Sequence, residues 1–128
     1  MDFRFAPEDE AFRLEVRDFI KKNWDDRGFA AHDLNVRAYD FDSLEARELD
    51  WAFTRKLVEK GWYAMAWPKE YGGMDAPYGK QVVYAEEMGY AGAPGGGGIS
   101  NIAGAIMLHG SDFIKREFLP RMRRGEVH

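Results

Sequence analysis

Apolar positions near the start of the chain recur at helical spacing. Phe12, Val16, Phe19 and Ile20 share one face, while Arg13, Glu15, Arg17, Asp18, Lys21 and Lys22 point elsewhere. Pro7 suits a first turn because its missing N–H has no intrahelical partner there, and Glu8, Asp9 and Glu10 place negative charge at the positive end of the dipole. The pattern predicts an amphipathic helix ending near Trp24. Asp25 to Asp42 has no sustained period and reads as a long connection with room for one short helical turn. A second helix is predicted from Ser43, whose hydroxyl can cap it, to Gly61, with Leu49, Phe53, Leu57 and Val58 as its core stripe.

Between Gly61 and Gly79 the large apolar residues Trp62, Tyr63, Met65 and Trp67 are interrupted by Pro68, Gly72, Gly73 and Pro77, so irregular chain is expected. A third helix follows from about Pro77 to Met88, with Tyr78, Val82 and Ala85 on one face, and a glycine-rich break spans Gly89 to Gly98. Ile99, Ile102, Ala103, Ile106 and Met107 then recur with almost no charge around them, the mark of a helix buried on most sides. His109-Gly110 ends it. Ser111 can cap a last helix carrying Phe113, Ile114, Phe118 and Leu119, which Pro120 and Gly125 are expected to interrupt. No segment alternates with a period of two, so the fold class is all-α with about five helices in an orthogonal or up-down bundle.

Composition narrows the chemistry. At 128 residues, 45% of them hydrophobic, the chain has the length of one ordinary domain that would bury roughly two-thirds of its unfolded surface. Two enzyme domains do not fit into it. A net charge of −4 offers no general attraction to nucleic acid or anionic membranes, and the absence of cysteine excludes thiolate chemistry and cysteine zinc sites. The first residues lack a basic region followed by an apolar run, and nowhere do 18 apolar residues stand together. A cytoplasmic protein with no membrane span is the expectation.

Candidate chemistry is sparse. Gly95-x-Gly97-x-x-Ser100 half-resembles a dinucleotide fingerprint, but a helical segment precedes it where a strand is required. Those glycines otherwise read as a flexible connection or as space opened for a ligand. Gly79-Lys80 fails as a phosphate loop because Gln81 stands where a hydroxyl is needed. His32, His109 and His128 have no partner at ligand spacing, so no metal site is expected. Glu86 and Glu87 diverge by about 100° on a helix and cannot share one proton. Lys115, Arg116, Arg121, Arg123 and Arg124 form the strongest local field; they read as a solvated helix face or as a site for a phosphate-bearing ligand or an acidic partner.

Several motifs in order carry a family resemblance. Lys60-Gly61-Trp62 followed by Trp67-Pro68-Lys69-Glu70-Tyr71-Gly72-Gly73, then Tyr84-Ala85-Glu86-Glu87-Met88-Gly89, Ala91-Gly92-Ala93-Pro94-Gly95, His109-Gly110-Ser111 and Phe118-Leu119-Pro120 with Arg124-Gly125-Glu126 resemble the N-terminal helical domain of the acyl-CoA dehydrogenase family. The opening Phe5-Ala6-Pro7-Glu8-Asp9-Glu10-Ala11-Phe12-Arg13 also fits, so the resemblance runs over essentially all 128 residues. It implies a three-domain flavoenzyme of which residues 1–128 are the first domain, with the flavin-contacting β-barrel domain and the C-terminal helical domain outside them.

The implied reaction is the α,β-dehydrogenation of an acyl-CoA thioester, in which a carboxylate removes the α-proton and FAD accepts the β-hydride. Neither group is expected here: no catalytic residue falls in this segment, which alone would be inactive and would not retain FAD. By position, Gly97, Gly98 and Asn101, with Pro94 and Ile102 nearby, are the expected acyl-chain pocket. Gly96 to Gly98 stand where commoner members carry larger side chains, which leaves space for a bulky or branched acyl group or merely loosens a loop. Phe113-Ile114 replaces a usually polar stretch and points to a domain or subunit contact. The resemblance also implies an electron-transfer flavoprotein or similar acceptor and a homodimer or homotetramer of the full-length enzyme. Alternatives are an acyl-CoA oxidase or flavin monooxygenase of the same superfamily, and a free-standing helical binding module without catalysis. Isolated from its neighbours, such a domain is expected to expose apolar surface, including parts of Trp62 to Trp67.

Overall fold

A computed structural model describes residues 4–25, 44–94 and 97–127. The connection over 26–42, the Ser43 cap, His32 and His128, and Gly95 and Gly96 lie outside the described residues. Five α-helices occupy most of the rest: α1 (Pro7–Asn23), α2 (Leu44–Lys60), α3 (Tyr78–Tyr90), α4 (Gly97–His109) and α5 (Asp112–Arg123). Two 3₁₀ turns, Trp62–Ala64 and Lys69–Tyr71, punctuate the segment expected to be irregular. No strand occurs among the described residues, and the chain is all-α as its periodicities predict.

The chain divides into two compact units, one of Met1–Phe53 with Pro77–Pro94, the other of Thr54–Ala76 with Gly95–His128. In the first, α1 buries Phe12, Val16 and Ile20, and packs against α3. Three aromatic rings add to this core: Phe53 of α2 lies with its centroid 5.8 Å from that of Phe19 and 5.2 Å from that of Trp24. Tilted rings at such spacings contribute beyond their buried area.

The buried face of α3 is not the predicted one. Val83, Tyr84, Glu87 and Met88 turn inward, whereas Tyr78, Val82 and Ala85 are exposed. The cause is Glu87: a carboxylate inside the apolar stripe breaks the pattern that periodicity looks for, and only tertiary partners neutralise it.

In the second unit, the residues of α2 from 54 to 60 bury Thr54 and Leu57, and Gly61 ends the helix in the left-handed conformation with φ 76°. The chain then folds back on itself. Asp75 N–H donates to the Trp67 carbonyl at 2.9 Å and Ala76 N–H to the Met65 carbonyl at 2.9 Å, which holds Trp67 in a core of Ala64, Ala103, Leu119 and Met122. Of the stretch from Trp62 to Trp67, expected to be exposed in part, Trp62, Met65 and Trp67 are buried, Tyr63 is half-buried and Ala66 is exposed.

Two further expectations fail in this unit. Helix α4 is not buried on most sides: Ala103 is fully buried and Ile106 and Met107 are half-buried, but Ile102 is 57% and Leu108 77% exposed. Low charge therefore marks an apolar outer face rather than enclosure. Helix α5 starts on the Ser111 hydroxyl, which accepts from the Ile114 N–H at 3.3 Å, and it continues through Pro120 to Arg123. Proline omits one hydrogen bond to the carbonyl four residues back, and the burial of Leu119 and Met122 on either side of it holds the helix together.

Candidate functional site

The expected acyl-pocket residues fall on both units. Gly97 and Gly98 open α4, Asn101 and Ile102 follow in its second turn and are exposed, and Pro94 is a buried residue of the first unit. At about 100° per residue, Asn101, Ile102, Ala105 and Leu108 share one side of α4, opposite Ala103 and Met107. Gly104 borders this side next to Leu108, at a position where a Cβ would meet nothing within 4 Å. The result is a small-residue, largely apolar face with one amide, Asn101, near its start. Ala105 and Leu108 were not singled out from the sequence, although their spacing of four and seven from Asn101 was readable there. Such a face can wall an apolar ligand, and the exposed His109 stands on the same side at its C-terminal end.

A network of ion pairs joins α1 and α3. Arg17 donates to both oxygens of Glu87, from Nε at 2.9 Å and from Nη2 at 2.8 Å. Arg13 Nη1 bridges Glu86 at 2.8 Å and Glu87 at 3.2 Å, and its Nε reaches Glu10 at 3.2 Å. Glu86 and Glu87 thus share an arginine rather than a proton. The hydrogen bonds from Arg17, reinforced by Arg13, hold the Glu87 carboxyl below its ordinary range against the opposing effect of burial. Both arginines are raised, Arg13 chiefly by Glu86 and Arg17 chiefly by Glu87. A carboxylate held ionised and doubly paired is a structural cross-link, not a base.

Gly79-Lys80 opens α3, but a Cβ at Gly79 would strike the Asp9 carboxylate, so an anion there would meet like charge, and Lys80 Nζ lies 5.3 Å from the centre of the Phe12 ring. No group of three or more His, Asp or Glu able to hold a metal ion occurs among the described residues. No helix among them is long and apolar enough to cross a membrane.

The basic residues of α5 divide by geometry. Arg121 pairs with Glu117 at 3.8 Å, and Arg124 pairs with Glu126, which lowers that carboxyl and raises the arginine. Lys115, Arg116 and Arg123 instead line an open cleft of about 370 Å³, together with Tyr71, Leu119 and Pro120.

Comparison with known proteins agrees with this architecture. Residues 6–126 match the family model described as the acyl-CoA dehydrogenase N-terminal domain. The chain is similar to acyl-CoA dehydrogenase FadE26 of Mycobacterium tuberculosis, 44% identical over 133 residues that cover 100% of this chain and 31% of that protein. It is also similar to FadE29 of the same organism, 26% identical over 96% of this chain and 30% of that one. Among solved structures, the ChsE4-ChsE5 complex from M. tuberculosis superposes with a TM-score of 0.78 at 29% identity, covering 100% of this chain and 30% of that chain. The Tcur3481-Tcur3483 steroid ACAD superposes at 0.75 and 21% identity, covering 99% and 31%, a likeness of fold alone. The chain spans about three-tenths of the length of the curated relatives it matches.

Proposed function

This chain belongs to the acyl-CoA dehydrogenase family, as its N-terminal domain, and on that premise we propose that it supplies one wall of the acyl pocket in an FAD-dependent acyl-CoA dehydrogenase. The observation that carries the reading is the apolar face of α4. Ile102 and Leu108 stand exposed on the side of α4 that carries Asn101, so this face gains from meeting an acyl chain or a neighbouring domain. Gly97, Gly98, Asn101 and Ile102, all of the second unit, are the proposed lining. On the same reading, the flavin and the proton-removing base are assigned to the other domains that the family resemblance implies.

The acyl class we propose is bulky and polycyclic, of the steroid kind. Glycines at 97 and 98 and the open Cβ position of Gly104 leave room along α4, and one of the fold relatives is a steroid ACAD. The partners proposed with it are an electron-transfer flavoprotein or similar acceptor and a second acyl-CoA dehydrogenase chain, the solved relatives being complexes. Phe113, 67% exposed, with Ile114 and Phe118, offers an apolar surface for such a contact. The reading is tested by Gly97→Leu in the complete enzyme. Bulky thioesters are expected to lose at least about tenfold in kcat/KM while straight-chain thioesters keep theirs; an equal loss on both classes refutes the pocket assignment.

A further inference from the structure

The cleft on α5 belongs to no role described above. We propose that it binds a nucleoside phosphate monoester, with the phosphate held by Lys115, Arg116 and Arg123 and the planar base set against Tyr71.

Helix periodicity gathers the site. Lys115, Arg116, Leu119, Pro120 and Arg123 fall within about 140° of one another around the axis, and the three cations span only about 12 Å along it. Of the five basic residues near the C-terminus, these are the three that line the cleft, and neither Lys115 nor Arg123 has a carboxylate at ion-pair distance among the described residues. Arg116 Nε donates to the Asp112 carbonyl at 3.3 Å, which steadies its stem and leaves the terminal nitrogens for a ligand. Arginine forks match phosphate oxygens in pairs, and a lysine adds a point charge.

The opposite wall comes from the 3₁₀ turn Lys69–Tyr71 and from Gly72. Tyr71 is half-buried against the core of Trp67, Leu119 and Met122 and also lines the cleft, so one part of its ring is anchored and another is available to a base. A side chain at 72 would collide with the Arg123 guanidinium, since a Cβ there would lie 2.8 Å from Nε. The glycine thus lets Arg123 lie across the turn.

Charge and size select the ligand. Glu70 also lines the cleft, so three cations face one carboxylate, which suits a dianion and disfavours the extra charge of a di- or triphosphate. Glu70 can accept from a ribose hydroxyl or an exocyclic amine. A volume of about 370 Å³ lies at the small end of ligand sites and fits a mononucleotide. An acidic protein segment would use the cations but not the aromatic wall. The proposal does not depend on the acyl reading, because it concerns binding at α5 and not dehydrogenation.

Two sources share this chemistry, a free 5′-mononucleotide and the 3′-phosphoadenosine end of a CoA thioester. The test is titration of the complete protein with AMP, adenosine 3′-phosphate, adenosine and an oligoglutamate peptide, followed by NMR of the Leu119 methyl groups. At least one of the two phosphates is expected to shift Leu119 saturably, and whichever binds more tightly identifies the source. Adenosine should bind at least about tenfold more weakly, and Arg123→Gln and Lys115→Gln should each weaken the phosphate about tenfold with unchanged melting temperature. The proposal is overturned if adenosine binds as well as its phosphates, if both variants bind like the parent, if neither phosphate moves Leu119, or if only the peptide does.

Discussion

Gly73→Ala should be among the most damaging single-methyl additions in this protein. The backbone of Gly73 runs against the Trp67 carbonyl so closely that a Cβ would overlap both the oxygen and the carbon of that group. A backbone wall cannot swing aside as a flexible side chain can. Relief requires the 68–75 loop to open, at the expense of the Gly73 N–H bond to the Pro68 carbonyl at 3.1 Å and the Asp75 N–H bond to Trp67 at 2.9 Å. Two such bonds contribute about 2 kcal/mol, and partial withdrawal of the Trp67 ring from the core brings the loss to about 2–4 kcal/mol. For a domain of this size that lowers Tm by about 7–15 °C. The internal control is Gly89→Ala in the last turn of α3, where a Cβ meets nothing within 4 Å and alanine should stabilise by about 0.5 kcal/mol. Thermal melts of the two variants beside the parent decide the matter. A Gly73→Ala protein melting within about 2 °C of the parent would refute the close-approach argument.

Other expectations follow from the same geometry. Because Glu87 is held below its ordinary 4.5, its stabilising contribution is full above that pH and disappears as pH falls through the lowered value; Glu87→Gln should flatten the acid limb of stability measured by urea midpoints between about pH 6 and pH 2. An acid limb identical to the parent's would contradict the Arg17 pairing. Leu119→Ala, at a side chain 1% exposed, should lower the free energy of unfolding by about 3 kcal/mol in chemical denaturation. Phe113→Ala, at a side chain 67% exposed, should leave that free energy within about 0.5 kcal/mol, and a larger loss would show that the ring is part of the core.

The helices were legible because local signals agreed. Pro7 with three acids began α1, Ser111 capped α5, and the spacing of Phe12, Val16 and Ile20 chose the buried side of α1 correctly. Where periodicity misled, a tertiary partner had replaced the expected residue type. Glu87 occupies an apolar position of α3 because Arg13 and Arg17 of α1 satisfy it, and nothing local to α3 announces two arginines seventy residues away. Low charge in α4 had the opposite effect. It reads as burial, but a helix facing a ligand or a neighbouring domain needs the same composition, and only the folded chain separates the two.

The glycines of the Tyr71-Gly72-Gly73 motif show how far the sequence alone could lead toward a site. Resemblance identified the motif and left its physical reason unstated; the structure assigns a different one to each residue. Gly73 makes room for the Trp67 carbonyl and so fixes the loop, while Gly72 makes room for the Arg123 side chain and so shapes the cleft. On α5 the spacing of 115, 116, 119, 120 and 123 was already that of one helical face. What the sequence could not supply was the other wall, Glu70 and Tyr71, which lies more than forty residues earlier. Nor could it reveal that Glu117 and Glu126 engage Arg121 and Arg124. A basic cluster becomes a directed site only when local carboxylates have claimed some of its members and a distant turn has enclosed the rest.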